Sequence, residues 1–124
     1  MAYNTLIVDD SGIIQTMVAT ILRMTEVSLG ETLYASNGQE ALDILEKHRI
    51  DIVFTDINMP VMDGEELIRE MRSRNIFRDV PVIVISTEQN KKKMDTLRTL
   101  GVRDYLTKPF NPEQLTEVLQ KYLK

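Results

Sequence analysis

The chain has 124 residues, 43% of them hydrophobic and 27% charged, with a net charge of -4 and no cysteine. That length and balance suit one soluble domain with a proper core, and the absence of cysteine excludes a disulfide framework and a thiolate metal site. The acidic balance argues against general affinity for nucleic acid. No run approaches the roughly 18 apolar residues of a membrane helix and no basic-then-apolar leader opens the chain, so a cytoplasmic protein is expected.

Apolar strand-like runs alternate along the chain with stretches of helical period, the pattern of repeated βα units around a parallel sheet. The first strand is expected from Thr5 to Val8 and stops on Asp9 and Asp10. Ile13, Ile14, Met17, Val18, Ile21 and Leu22 then keep the three-and-four spacing of one buried helix face. A second strand is expected from Thr32 to Ala35, followed by a helix start at Asn37 with Glu40 and a buried face at Ala41, Leu42 and Leu45. His48, between Lys47 and Arg49, reads as solvent-exposed. The third strand, Asp51 to Thr55, stops on Asp56, and Asp63 with Glu66 opens the next helix. Val82 to Ile85 forms the fourth strand and ends at Ser86. Lys91, Lys92 and Lys93 read as a solvated helix face, and Gly101 is placed to end that helix. Arg103 to Leu106 is the fifth strand, with Lys108 just past it. The last helix opens on Asn111-Pro112-Glu113-Gln114, a cap, a first-turn proline and a capping-box glutamine, and buries Leu115, Val118, Leu119, Tyr122 and Leu123. No linker or low-complexity tract interrupts residues 1–124, which read as one domain.

In an open parallel sheet the carboxyl ends of neighbouring strands converge on one crevice, where ligands bind. Asp9, Asp10 and Asp56 would repel one another there and be driven toward protonation unless a cation neutralised them. An all-oxygen set suits a hard divalent ion, Mg2+ above all. With Ser86 and Lys108 at the same edge, the residues make a phosphoryl-transfer site. Asp56 is the nucleophile, Mg2+ and Lys108 neutralise phosphoryl oxygens, and Ser86 donates a hydrogen bond to one of them. Charge in such a transition state spreads over the equatorial oxygens, so fixed cations and donors supply much of the catalysis.

Val8-Asp9-Asp10, Asp56 with Met59-Pro60 and Met62-Asp63-Gly64, Ser86, and Lys108-Pro109-Phe110 together resemble the receiver domains of two-component response regulators, the single-domain chemotaxis regulators in particular. The resemblance covers nearly the whole chain. It implies a flavodoxin-like (βα)5 α/β fold, a doubly wound parallel sheet of strand order 2-1-3-4-5. It implies that Asp56 is the phosphoacceptor, loaded from a histidine kinase, a phosphotransfer protein or acetyl phosphate. Asp10 and Asp56 would hold Mg2+ directly, Asp9 through water, and the backbone carbonyl of Asn58 would complete the set. Lys108 would pair with phosphoryl oxygens, and the Lys108-Pro109 bond would be cis. Ser86 and Tyr105 would form the switch that remodels the surface of the fourth helix, fifth strand and last helix for a downstream protein. Asn58 and Glu88 would tune the lifetime of the acyl phosphate, here a short one. The implied protein is a signalling phosphoacceptor that catalyses its own phosphorylation and dephosphorylation rather than an enzyme. It would be a monomer, with dimerisation on phosphorylation left open.

Two features depart from the family pattern. Thr87 follows Ser86 where a small Ala or Gly is usual, which narrows access to Asp56. The stretch 25–31, containing Gly30, is not the usual short turn before the second strand and leaves that strand's register open. Taken singly, Lys108 is a surface lysine at a turn, Ser86 a helix cap, Asp63 a cap and Tyr105 a strand aromatic; the constellation in chain order carries the reading. A hydrolase of the haloacid dehalogenase type would show Asp-x-Asp after its first strand, whereas Asp56-Ile57-Asn58 follows the third. A docking module that never carries phosphate fits poorly with the intact acidic cluster. A phosphorelay intermediate and the receiver half of a DNA-binding regulator stay open as alternatives.

Overall fold

Residues 2–122 are described by a computed structural model. Strands β1 (Tyr3–Val8), β2 (Leu29–Ala35), β3 (Ile52–Thr55), β4 (Val82–Ser86) and β5 (Asp104–Thr107) alternate with helices α1 (Gly12–Arg23), α2 (Gly38–Lys47), α3 (Gly64–Ser73), α4 (Lys91–Thr99) and α5 (Pro112–Tyr122). All pairings are parallel and the order is β2-β1-β3-β4-β5, as the resemblance implied.

Strand side chains alternate between two faces, and here both faces are apolar. Leu6, Val8, Val53, Val82 and Val84 meet Leu42, Leu45, Leu67, Ile68, Met71 and Leu97 of α2, α3 and α4. Ile7, Ile52, Phe54, Ile83 and Ile85 meet Val18, Leu22, Leu115 and Leu119 of α1 and α5. Burial on both sides is why these strands read as continuous apolar runs rather than as alternating ones. Among the described residues, no helix is long and apolar enough to cross a membrane.

The helix punctuation follows the sequence. The Asn37 side chain accepts from the Glu40 N–H at 2.9 Å, Asp63 and Glu66 form a reciprocal capping box, and Asn111 and Gln114 form another. Gly101 adopts a φ of 86° just beyond α4, a left-handed stop open to glycine at no steric cost. His48 is exposed. Leu123, expected on the buried face of the last helix, lies outside the described residues.

Each strand differs from expectation at one end or both; β3 begins at Ile52 rather than Asp51 and β4 ends at Ser86 rather than Ile85. β1 begins at Tyr3 rather than Thr5, and β2 at Leu29 rather than Thr32. Tyr3 pairs with Leu29 while Thr5 pairs with Thr32, so β2 holds one extra residue there, a bulge. Asn4 closes it: its side-chain oxygen accepts from the Glu31 N–H at 2.9 Å and its amide donates to the Arg49 carbonyl at 2.9 Å. Gly30 permits the approach, because a Cβ at that position would overlap the Asn4 side-chain oxygen. β5 runs one residue later than expected, Asp104–Thr107 rather than Arg103 to Leu106.

The edge of the sheet opposite the strand carboxyl ends is tied by Arg72. Its guanidinium donates to the carbonyls of Leu100 at 2.8 Å, Arg78 at 2.9 Å, Val80 at 3.1 Å and Gly101 at 3.3 Å. Burial lowers its pKa, and the charge of Arg103 adds to this while Asp79 opposes it. Arg72→Leu would leave these carbonyls without their donor, and urea unfolding should report a loss of about 2 kcal/mol.

Candidate functional site

β1 and β3 lie in register, with Val8 opposite Thr55, so the residues after them leave the sheet side by side. The Asp56 N–H donates to the Val8 carbonyl at 2.9 Å and carries the ladder past the end of β3. Asp9 is 3% exposed, Asp56 is half-buried and Asp10 is exposed. One carboxylate oxygen from each of the three lies within 4.8 Å of the others. Ser86, fully buried, ends β4 beside them. Lys108 follows β5, and its N–H donates to the Ser86 carbonyl at 2.9 Å. Its ammonium reaches across to Asp9 Oδ2 at 2.8 Å and Asp56 Oδ2 at 3.0 Å. The Lys108-Pro109 bond is cis.

The remaining oxygens are held by backbone. Asp9 Oδ1 accepts from the Ser11 N–H at 2.9 Å and Asp56 Oδ1 from the Ile57 N–H at 2.6 Å. Burial works to lower the pKa of Lys108, but hydrogen bonds and charge from Asp9 and Asp56 outweigh it and raise the ammonium above the ordinary lysine range. The three carboxylates and one ammonium at ordinary charge leave two negative charges in a crevice of oxygen donors. That donor set fits a hard divalent cation in both charge and chemistry.

Sequence reasoning missed one supporting residue. The Gln15 amide donates to the carbonyls of Asp9 at 2.7 Å and Ala35 at 3.1 Å, tying α1 to the ends of β1 and β2. The signal was available: Gln15 is polar between Ile14 and Val18, on a helix that packs into the core.

Ser86 and Tyr105 meet at Glu88. The Glu88 N–H donates to Ser86 Oγ at 3.2 Å, and the Tyr105 hydroxyl donates to the Glu88 carbonyl at 2.5 Å. Burial, with the Glu88 carboxylate second, raises the pKa of the half-buried Tyr105 phenol, which keeps it a neutral donor. Asn58 and Thr87 are exposed beside the crevice.

The loop from β3 to α3 carries local strain. Val61 has a φ of 67° and is 80% exposed, and the Met62 N–H bonds to the Pro60 carbonyl at 2.7 Å, the hydrogen bond of a γ-turn. A β-branched residue rarely adopts that φ, and the positive-φ γ-turn is the strained form. Val61→Gly should raise stability by about 1 kcal/mol, the strain relieved exceeding the added chain entropy; an unchanged urea midpoint would refute this.

A parallel sheet of order 2-1-3-4-5, with three carboxylates and a lysine converging on its carboxyl edge, defines a receiver. The chain belongs to the response regulator receiver domain family, whose model matches residues 5–120. A CheY homologue of Campylobacter jejuni, named a chemotaxis protein, is 36% identical over 119 residues, 95% of this chain and 90% of the relative. The solved structure of chemotaxis protein CheY4 of Vibrio cholerae is 35% identical and superposes with a TM-score of 0.88, covering 99% of this chain and 100% of that one. The receiver domain of a Pseudomonas aeruginosa sensor histidine kinase, solved with a magnesium ion in its active-site cleft, is 28% identical with a TM-score of 0.84 over 98% of both chains.

Proposed function

We propose that this chain is a phosphorylation-switched receiver of two-component signalling in which Asp56 accepts a phosphoryl group from a histidine kinase or phosphotransfer partner. The observation that carries the reading is the Lys108 ammonium bridging Asp9 and Asp56, with Asp10 beside them and Ser86 at the end of the next strand. A nucleophilic carboxylate needs an accessible oxygen and a cation nearby, and Lys108 reaches only the Oδ2 of Asp56.

In the transfer, the N–P bond of a phosphohistidine breaks as an Asp56 O–P bond forms, and the electron pair returns to the donor imidazole. Lys108 moves from Asp56 Oδ2 onto the phosphoryl oxygens while keeping its contact with Asp9. Asp10, Asp56, the Asn58 carbonyl and, through water, Asp9 would hold Mg2+, which supplies charge neutralisation for the phosphoryl oxygens. The Ser86 hydroxyl proton donates to a phosphoryl oxygen, and its turn inward costs the bond that it accepts from Glu88. That frees Tyr105 to leave the Glu88 carbonyl and occupy the vacated space. The readout surface is then α4, β5 and α5, where a cleft of about 270 Å³ is lined by Met94, Leu97, Val102 and Tyr105. Asn58 and Glu88 flank the path of attacking water and set the lifetime of the phosphoryl group. The similarity to chemotaxis proteins makes control of motility the pathway of choice.

Acetyl phosphate treatment with and without Mg2+, followed by intact mass and by NMR shifts of Tyr105, tests this. A Mg2+-dependent adduct of one phosphoryl group, absent in Asp56→Ala and accompanied by shifts at Tyr105, is the expected result. No adduct in the wild type would sink the phosphoacceptor assignment.

A further inference from the structure

Lys91 and Lys92 are exposed, as a solvated helix face should be, but Lys93 is not part of that face. Its ammonium lies 2.7 Å from Glu65 Oε1 of α3, with the two side chains 29% and 21% exposed. The pair joins two first turns of opposite character. α3 opens with Glu65 and Glu66, which suit the positive end of a helix dipole, whereas α4 opens with three lysines and no acid, which do not. Leu97 is the only buried residue of α4, so this helix rests on few apolar contacts and on its polar ties. Glu65 is drawn below the ordinary carboxylate range first by its hydrogen bond with Lys93, and Lys93 is raised first by Glu65, which marks both as charged at neutral pH.

The pair also closes a ring of contacts around the site. Gly64, the residue before Glu65, donates its N–H to the Ile57 carbonyl at 2.7 Å, directly behind Asp56. On the other side, Lys93 N–H is capped by Asn90 at 3.0 Å, the Asn90 N–H donates to the Glu88 carboxylate at 3.2 Å, and the Glu88 N–H donates to Ser86 Oγ at 3.2 Å. Drawing the Ser86 hydroxyl toward a phosphoryl group on Asp56 therefore requires breaking the first bond of the chain that leads to Lys93, and whatever holds Glu88 and Asn90 in place resists that step. We propose that the Glu65–Lys93 ion pair is a latch between α3 and α4 that holds Ser86 and the start of α4 in the resting arrangement and opposes the switch. The proposal rests on the phosphoacceptor reading above. Glu65 and Lys93 are positioning residues in this account, since neither touches the reacting atoms. A ligand at Asp56 shifts the balance only by its differential affinity for the two arrangements, so weakening the resting one makes activation easier.

The test is a beryllofluoride titration in saturating Mg2+, read by NMR shifts of Tyr105, on the wild type, Glu65→Gln, Lys93→Met and the double variant. Asp95→Asn, which breaks the exposed pair with Arg98 on α4, is the control. Each single variant should lower the half-saturating concentration by about two- to fivefold, as loss of a partly exposed ion pair permits. The double variant should fall well short of the sum of the singles, because both remove the Glu65–Lys93 pair, while only Glu65→Gln also touches the bond at 3.0 Å from Arg69 within α3; Asp95→Asn should match the wild type. Unchanged singles, additive singles, or an equal effect from Asp95→Asn would overturn the latch while wild-type binding of beryllofluoride left the phosphoacceptor reading standing. No Mg2+-dependent binding by the wild type would instead overturn that reading and the latch with it.

Discussion

Lys108→Met should slow phosphoryl transfer to Asp56 by about 10²-fold or more, the cost of losing a positioned charge at a centre where negative charge gathers. The same substitution should tighten Mg2+ binding. With the ammonium gone, Asp9, Asp10 and Asp56 face the cation with no competitor for Asp9 Oδ2 and Asp56 Oδ2. Removing one partner from a buried pair also leaves an uncompensated charge. Asp9 is 3% exposed, so stability without divalent cation should fall by about 3 kcal/mol and recover as Mg2+ is added. Stopped-flow phosphorylation, calorimetric Mg2+ titration and urea unfolding at two Mg2+ concentrations separate the three effects. A variant that lost transfer and Mg2+ affinity together would refute the assignment of Lys108 as a charge competing with the metal.

Gly64→Ala should be the most damaging single-methyl change near the site. A Cβ there would overlap the Asp56 carbonyl oxygen and lie 2.8 Å from Ile57 Cα and 3.0 Å from the Asp56 carbonyl carbon. All three atoms are backbone, and the Gly64 N–H is itself fixed to the Ile57 carbonyl, so relief requires moving the loop that carries Asp56. A loss of about 3 kcal/mol is expected, at the upper end of overpacking costs, together with loss of the acetyl phosphate adduct. Gly12→Ala is the comparison, since a Cβ at Gly12 meets nothing within 4 Å and the change adds a better helix former at the start of α1. Equal stability in the two variants would refute the argument.

The fold was legible where burial on both faces made unbroken apolar runs, as at Ile52–Thr55 and Val82–Ser86, and where caps were spelled out, as at Asp63 with Glu66. It was not legible at the start of β2. Leu29 and Gly30 join the sheet through pairing with Tyr3 and the bonds of Asn4, and no local pattern within 25–31 encodes partners so distant in the chain. The five residues expected at the crevice, Asp9, Asp10, Asp56, Ser86 and Lys108, were readable because each directly ends a strand or follows one, and the topology does the rest. The Glu65–Lys93 pair was not, since a helix surface residue shows its partner only once the neighbouring helix is in place; Gln15 left a signal as a polar residue on a packed helix, but not the identity of its partners, the Asp9 and Ala35 carbonyls.

The site is assembled from segments far apart in the chain: Lys108 and Asp9 are separated by 99 residues, Lys108 and Asp56 by 52. Asp9, Asp10 and Asp56 all lie in the first half of the chain, but the lysine that completes the crevice follows the last strand, and the fold must close for it to arrive. The complete crevice is therefore a property of the finished fold, not of any one segment.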